Sequence, residues 1–221
     1  MDFVLNGIEL PVRITPAVPM SDDELMRFCA ANGDLRVERE PNGELLVMTP
    51  SNFNTSRINQ RIGRILDEWA EADGRGTVTD SNGGYTLPDG SMRAPDAAWV
   101  ANRRWQALSE KDQNRFAPIC PDFIIEIRSP SDSLTELRTK MNDWIANGAE
   151  VAWLIDPIDR AITVYRPGAQ PEDDATAGQC GQRADRARQR GRGPRRQVGH
   201  DDGPGDGAGA AEQEPDRGVG V

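Results

Sequence analysis

Apolar residues recur at helical spacing in several parts of the chain. A capping box at 21–24 opens a first predicted helix, which Gly33 ends. The apolar positions of residues 55–72 mark one face of a second helix. A third amphipathic helix begins near Leu134, and a short helix is predicted around 104–113. The helices are therefore few and separated by long stretches of other structure.

Alternating patterns and short apolar runs between these helices predict strands. They cover residues 35–40, 44–48, 77–79, 84–87, 97–100, 123–127, 151–155 and 161–165. The first two flank a Pro-Asn-Gly turn and predict a hairpin. One helix connects the two strongly apolar strands 123–127 and 151–155. These elements predict an α+β (mixed α/β) domain in which one central, twisted, mixed sheet is flanked by helices.

The composition changes abruptly near Gly168. Residues 169–221 contain no Leu, Ile, Phe, Trp, Tyr or Met, and they hold 11 of the 22 glycines. Such a segment buries too little apolar surface to offset the entropy of ordering, so we predict a folded domain at 1–168 and a disordered tail at 169–221. The change also suggests a frameshifted or truncated end. The basic run 183–196 is either a nucleic-acid arm or a solvated tail without a partner.

Charge and cysteine content restrict the class of protein. Residues 1–168 carry 18 Lys and Arg against 26 Asp and Glu, a net charge of −8 that disfavours a protein coating nucleic acid. An enzyme that meets phosphate through a carboxylate-bound metal stays open. No run of 18 apolar residues and no basic leader occur, and the three cysteines are far apart. We expect no membrane span, no disulfide framework or zinc site, and a cytoplasmic location.

Glu126 interrupts the strand of Phe and Ile residues at 123–127. It shares a face with Ile124 and Arg128, because side chains alternate along a strand. A carboxylate at such a position is costly unless a partner stabilises it. That partner is either a bound cation or a basic side chain such as Arg128, and both interpretations stay open.

Asp96 and Lys140 are the other candidate site residues. Asp96 follows a proline before the strand 97–100, where a turn aspartate is the common structural explanation. Neighbouring strands would bring it close to Glu126 and form an oxygen-rich site suited to Mg²⁺ or Mn²⁺. Lys140 is one of only two lysines in the chain and lies on the helix after the Glu126 strand. It either reaches this site or is a surface lysine.

Four linked sequence blocks resemble a prokaryotic family of restriction-endonuclease-like proteins within the PD-(D/E)XK nuclease superfamily. They are residues 94–100, residues 121–131, Lys140 with Trp144, and residues 148–157; the block 43–50 with the following helix is similar to the family's N-terminal part. The resemblance covers about Ser21 to Pro167. It implies a restriction-endonuclease-like core and metal-dependent hydrolysis of DNA phosphodiester bonds.

Carried over to this sequence, the resemblance implies Asp96, Glu126 and Lys140 as catalytic residues, with Asp96 and Glu126 as ligands of Mg²⁺ or Mn²⁺. Arg128 stands where the plain superfamily motif has its lysine, and Lys140 matches the displaced lysine of the family. Arg128 and Glu44 are predicted accessory residues. The implied partner is a DNA substrate. The oligomeric state stays open between a monomer and a homodimer, the form in which many nucleases of this superfamily act. The alternatives are a catalytically inactive DNA-binding or accessory protein of the nuclease fold, and an RNase of the same fold.

Overall fold

The structure, a computed structural model, describes residues 10–173. Within this range, the helices are α1 (Asp22–Ala31), α2 (Phe53–Asp73), α3 (Asn102–Trp105), α4 (Glu110–Gln113) and α5 (Leu134–Ala146). The strands are β1 (Val12–Ile14), β2 (Arg36–Arg39), β3 (Leu45–Met48), β4 (Gly76–Thr79), β5 (Tyr85–Thr86), β6 (Met92–Arg93), β7 (Ala97–Ala101), β8 (Phe123–Ile127), β9 (Val151–Asp156), β10 (Ala161–Tyr165) and β11 (Glu172–Asp173).

The strands form two sheets. The smaller has the order β1-β3-β2-β6-β5, and the larger has the order β11-β10-β9-β8-β7-β4. Within the larger sheet β8 and β9 are parallel, and α5 connects them. Its other neighbouring strands are antiparallel. A helix has the length that a parallel crossover requires, whereas a short turn joins the antiparallel strands β9 and β10.

Local sequence chemistry sets the ends of the two long helices. Asn52 caps α2 through its side chain, which accepts a hydrogen bond from the backbone of Thr55. Gly74 ends the same helix with a φ of 70°, a left-handed conformation that glycine adopts without strain. Ser133 caps α5 by accepting a hydrogen bond from the Glu136 backbone. These caps fix where both helices begin beside the ends of the central strands.

Three apolar clusters hold the sheets and helices together. The largest lies between the six-stranded sheet and α5 and includes Ile124, Met141 and Trp144. A second joins the five-stranded sheet to α1. A third lies on the opposite face of the six-stranded sheet, where α2 packs through Leu66 against Ile125. Glu126 and Ile124 therefore face α5, while Ile125 faces α2, as strand alternation predicts.

The predicted fold class is confirmed, and three details differ. Two sheets replace the single predicted one, because the hairpin of β2 and β3 pairs with β1 and β6 rather than with the larger sheet. The short helix predicted at 104–113 is two separate segments, α3 and α4, because Ser109 caps a new helix. Residues 169–173, predicted as part of the tail, include the last residue of a turn and β11; the rest of the predicted tail lies outside the described residues.

Across residues 10–173, none of the helices combines the length and apolarity needed to cross a bilayer.

Candidate active site

Asp96 lies where β7 begins, beside the end of β8. Ala97 pairs with Ile125 in the antiparallel register of these strands, so Asp96 lies next to the Glu126–Ile127 end of β8. Its Oδ2 accepts a hydrogen bond from the Ile127 backbone at 2.8 Å. Its Oδ1 accepts one from the Asn59 side chain of α2, also at 2.8 Å. A strand backbone and a helix side chain therefore fix both oxygens of this buried carboxylate.

Glu126 lies on β8 and faces α5. It is only 4 % exposed. Its Oε1 accepts a hydrogen bond from the Trp144 indole at 2.9 Å and pairs with the Lys140 ammonium at 2.9 Å. Trp144 packs in the apolar cluster beneath α5 and also orients the carboxylate. Lys140 and Trp144 are four residues apart on α5, so both reach the same side of the helix.

Lys140 is shared between two carboxylates from different sheets. Its Nζ lies 2.9 Å from Oε1 of Glu126 and 2.9 Å from Oε1 of Glu38 on β2. Glu38 is 2 % exposed and also pairs with Arg93 of β6 at 3.4 Å. The candidate site consequently forms where the two sheets meet, with the ammonium of Lys140 between them.

The environment of this cluster shifts the pKa values of its two glutamates in opposite directions. Burial raises the pKa of Glu126; the Lys140 charge opposes this effect, and the nearby carboxylates of Asp96 and Glu38 add to it. Burial also acts to raise the pKa of Glu38, but Lys140 and Arg93 together bring that pKa below its ordinary value. Burial disfavours the Lys140 charge, yet Glu126 and Glu38 outweigh it and raise the pKa of the ammonium. Lys140 is therefore protonated at neutral pH.

The donors at this site suit a hard cation such as Mg²⁺. Asp96 and Glu126 supply carboxylate oxygens, which Mg²⁺ and Mn²⁺ prefer. Asn59 adds a buried side-chain oxygen, Oδ1, that has no hydrogen-bond partner within the described residues. Between residues 10 and 173 no three His, Cys, Asp or Glu side chains gather as a ready-made metal site. A two-carboxylate set still fits Mg²⁺, because this ion usually keeps several waters and uses one or two protein carboxylates.

The two predicted accessory residues have other partners. Arg128 follows the end of β8 and pairs with Asp156 at 2.7 Å and Asp159 at 3.3 Å. Glu44 pairs with the half-exposed Arg13 at 2.9 Å, beside the hairpin turn. Within residues 10–173, neither side chain forms an ion pair or hydrogen bond with Asp96, Glu126 or Lys140. The structure thus brings together the three predicted catalytic residues and leaves the two accessory ones outside the cluster.

Glu38 and Asn59 contact the site but were not predicted from the sequence. Glu38 lies among charged residues on β2, a pattern that is typical of a solvated strand face and gives no sign of burial. Asn59 is a polar residue beside the apolar face of α2, next to Ile58 and Ile62. The position of a polar residue at the border of the apolar helix face is the one sequence signal that could have indicated Asn59.

Comparisons with known proteins identify this fold. A crystal structure from Anabaena variabilis ATCC 29413, described as "a putative nuclease belonging to DUF820", is 22% identical to this chain with a TM-score of 0.55. That likeness covers 70% of this chain and 84% of the other, and it shows a shared restriction-endonuclease-like fold. A weaker likeness, to the DrdV–DNA complex, has a TM-score of 0.38 and 15% identity and covers 57% of this chain and 11% of that one.

The sequence profile of the family Uma2, described as "Putative restriction endonuclease", matches residues 22–179. This chain belongs to that family, which confirms the resemblance read from the sequence. No curated protein matches the chain.

Proposed function

We propose that this protein is a metal-dependent endonuclease that hydrolyses DNA phosphodiester bonds. The observation that carries the proposal is the convergence of Asp96, Glu126 and Lys140, from β7, β8 and α5, at one partly buried position. Membership of a restriction-endonuclease family supports the nuclease class. The DNA substrate, the metal and the roles of the residues are the proposed part.

Asp96 and Glu126 are the proposed ligands of Mg²⁺ or Mn²⁺. When bound, such a cation supplies Lewis-acid polarisation of the scissile phosphate and activates water. Asn59 and the Ile127 backbone hold the Asp96 carboxylate in place, and Trp144 holds that of Glu126. These fixed contacts pre-organise both oxygens, so little reorganisation is needed when the phosphate arrives.

Lys140 acts in this proposal as a positively charged hydrogen-bond donor and not as a general base. Its pKa is raised by Glu126 and Glu38 against the effect of burial, so the ammonium keeps its protons at neutral pH. An ammonium has three N–H donors, and two of them meet these glutamates. Within residues 10–173 the third meets no acceptor. On a bound phosphoryl oxygen it would stabilise negative charge growing in the transition state. One such donor is worth about 10²–10³ in rate.

The test is cleavage of supercoiled plasmid by the wild-type protein and the Glu126→Gln variant, with Mg²⁺, Mn²⁺ or EDTA. We expect nicked or linear DNA only with wild type and a divalent cation. Single-stranded DNA and RNA, offered in parallel, distinguish this function from that of an RNase. Binding of DNA without metal-dependent cleavage of any of these substrates would instead identify an inactive DNA-binding protein and reject the proposal.

A further inference from the structure

An arginine that the sequence pattern did not indicate lies beside the proposed catalytic residues. Arg36 is the first residue of β2, and Nη1 of its guanidinium lies 3.5 Å from Oδ1 of Asp96. Its Nη2 donates a hydrogen bond of 3.0 Å to the carbonyl of Ala94, two residues before Asp96. Arg36 and Glu38 alternate onto one face of β2, where Glu38 contacts Lys140. The guanidinium is therefore anchored at the Asp96 end of the site.

Three cations pair with the carboxylates of Asp96, Glu126 and Glu38 within residues 10–173, and they differ in how fully their charges are compensated. Lys140 pairs with two carboxylates, and its side chain is 17% exposed. Arg93 pairs with three and is 5% exposed. Arg36 pairs with one and is 28% exposed. Its separation of 3.5 Å exceeds the roughly 2.7–2.9 Å of a strong charge-assisted hydrogen bond. Arg36 thus has the least compensated and most accessible charge of the three.

The guanidinium of Arg36 also has unpaired donors. Arginine has five N–H donors in a planar fork. Two of them meet Asp96 and Ala94, and the other three make no hydrogen bond within the described part of the chain. Adjacent N–H groups of such a fork match two oxygens of a phosphate. Because residues 1–168 carry more acidic than basic side chains, an approaching phosphodiester needs a local cation of this kind.

We propose that Arg36 is a substrate-binding residue that holds a backbone phosphate of DNA at the mouth of the site. The inference rests on the proposed function, since it takes DNA as the ligand of this site. The long contact with Asp96 is weak, whereas a phosphate that accepts two N–H bonds makes a stronger one. Removal of the Arg36 charge should therefore weaken DNA binding, and removal of the Asp96 charge should not.

Binding of a fluorescein-labelled DNA duplex of mixed sequence tests this contact without cleavage, when anisotropy is measured in EDTA between about 50 and 200 mM salt. We expect Arg36→Met to weaken binding about tenfold or more. The slope of log K against log salt concentration should become shallower by about 0.9, the value for one phosphate contact. Arg36→Lys should keep the wild-type slope, because it keeps the charge, and should bind less tightly, because it lacks the fork.

Arg13→Met is the matched control for the lost charge. Arg13 belongs to the same five-stranded sheet, pairs with Glu44 and Glu40, and forms no ion pair with Asp96, Glu126 or Glu38 within residues 10–173. This variant has the same net charge as Arg36→Met, so its slope should equal that of wild type if the position of the charge matters. Circular dichroism of each variant verifies folding.

Asp96→Asn distinguishes a phosphate contact from mere support of the Asp96 carboxylate. If Arg36 only held Asp96 in place, Asp96→Asn and Arg36→Met would change DNA binding in the same direction. We expect Asp96→Asn to bind at least as tightly as wild type, because a repulsive charge is removed and Arg36 is released. The proposal is overturned if wild type does not bind the duplex, if Arg36→Met keeps the wild-type slope, if Arg13→Met loses as much, or if Asp96→Asn also binds less tightly.

Plasmid cleavage measured on the same preparations separates this inference from the nuclease proposal. Metal-dependent cleavage by wild type, together with an unchanged binding slope for Arg36→Met, would reject the phosphate contact alone. Binding that depends on Arg36, without metal-dependent cleavage of DNA or RNA by wild type, would reject the nuclease proposal and retain Arg36 as a DNA contact.

Discussion

Replacing Asp96 with asparagine removes one charge from the candidate site while keeping the size and shape of the side chain. The new amide oxygen can still accept the backbone hydrogen bond of Ile127, now 2.8 Å from Oδ2. Its NH₂ group, however, meets the NH₂ group of Asn59, now 2.8 Å from Oδ1. A flip of the Asn59 amide relieves this clash, because its Oδ1 has no other partner among the described residues and is free to accept.

The expected loss of stability is small. Two hydrogen bonds to the charged oxygens, worth about 1.5–3 kcal/mol each, become neutral ones worth about 0.5–1.5 kcal/mol. The ion pair of Asp96 with the partly exposed Arg36 at 3.5 Å, worth at most about 1 kcal/mol, is lost as well. The removal of repulsion between Asp96 and Glu126 offsets part of this loss, since the Asp96 charge raises the pKa of Glu126. A net loss of about 1–2 kcal/mol lowers the Tm of a domain of this size by roughly 2–8 °C. Differential scanning fluorimetry measures this shift directly.

The expected loss of activity is large. Disturbing the hydrogen-bonded supports of metal ligands commonly costs about 10–100-fold, so removing the charge of a ligand should cost at least the upper end of that range. Asp122→Asn is the matched control. Asp122 is equally buried, accepts a backbone hydrogen bond from Ala101 at 2.9 Å and pairs with Arg104 at 2.7 Å. This control should lose stability and still nick plasmid. Undiminished nicking by Asp96→Asn, or its failure to fold, would refute the reasoning.

Four further variants test the charges around the site. Lys140→Met leaves the two buried carboxylates of Glu38 and Glu126 without the ammonium that they share. Plasmid cleavage should fall about 10²–10³-fold, and the free energy of unfolding should fall by about 3–5 kcal/mol. Full cleavage activity would contradict the proposed role of Lys140. Because the pKa of Glu126 is raised, wild-type stability declines as pH rises from the pKa of this group in the unfolded chain to its pKa in the folded protein. Glu126→Gln should remove this decline, which urea titrations at several pH values measure as the free energy of unfolding. Because the pKa of Glu38 is lowered, its contribution to stability is lost as pH falls through its folded-state pKa, and Glu38→Gln should remove that loss. If the two substitutions changed the pH dependence of stability in the same direction, the assignment of the two glutamates would be refuted. Glu44→Ala should cleave plasmid normally and lose at most about 2–4 °C in Tm, because its partner Arg13 is half exposed. A loss of cleavage would show that Glu44 has a role in the active site.

Apolar periodicity was sufficient to predict the long elements, because burial of one face is a local property of a helix or strand. The helix predicted at 55–72 is α2 at Phe53–Asp73, and the predicted hairpin is β2 with β3. The division into two sheets was not predictable in this way. Strand alternation states which face is buried, but it does not state which strand supplies the hydrogen bonds.

Two predictions about single side chains show the same limit. Arg128 was expected on the face of Glu126, but β8 ends at Ile127, and the Arg128 side chain pairs instead with Asp156 beyond the strand. Glu44 and Glu38 are both acids of the hairpin. Only the packed structure distinguishes Glu44, which meets a half-exposed arginine, from Glu38, which is buried against Lys140.

The sequence alone predicted the fold class, and it marked a carboxylate in an apolar strand and a lysine on the following helix as local exceptions. The family resemblance then implied Asp96, Glu126 and Lys140 as the residues proposed for catalysis. Tertiary structure decided which residues surround them. Glu38 is 102 positions from Lys140, and Asn59 is 37 positions from Asp96. Contacts between such distant residues depend on how sheets and helices pack, and no pattern within a single element records that packing.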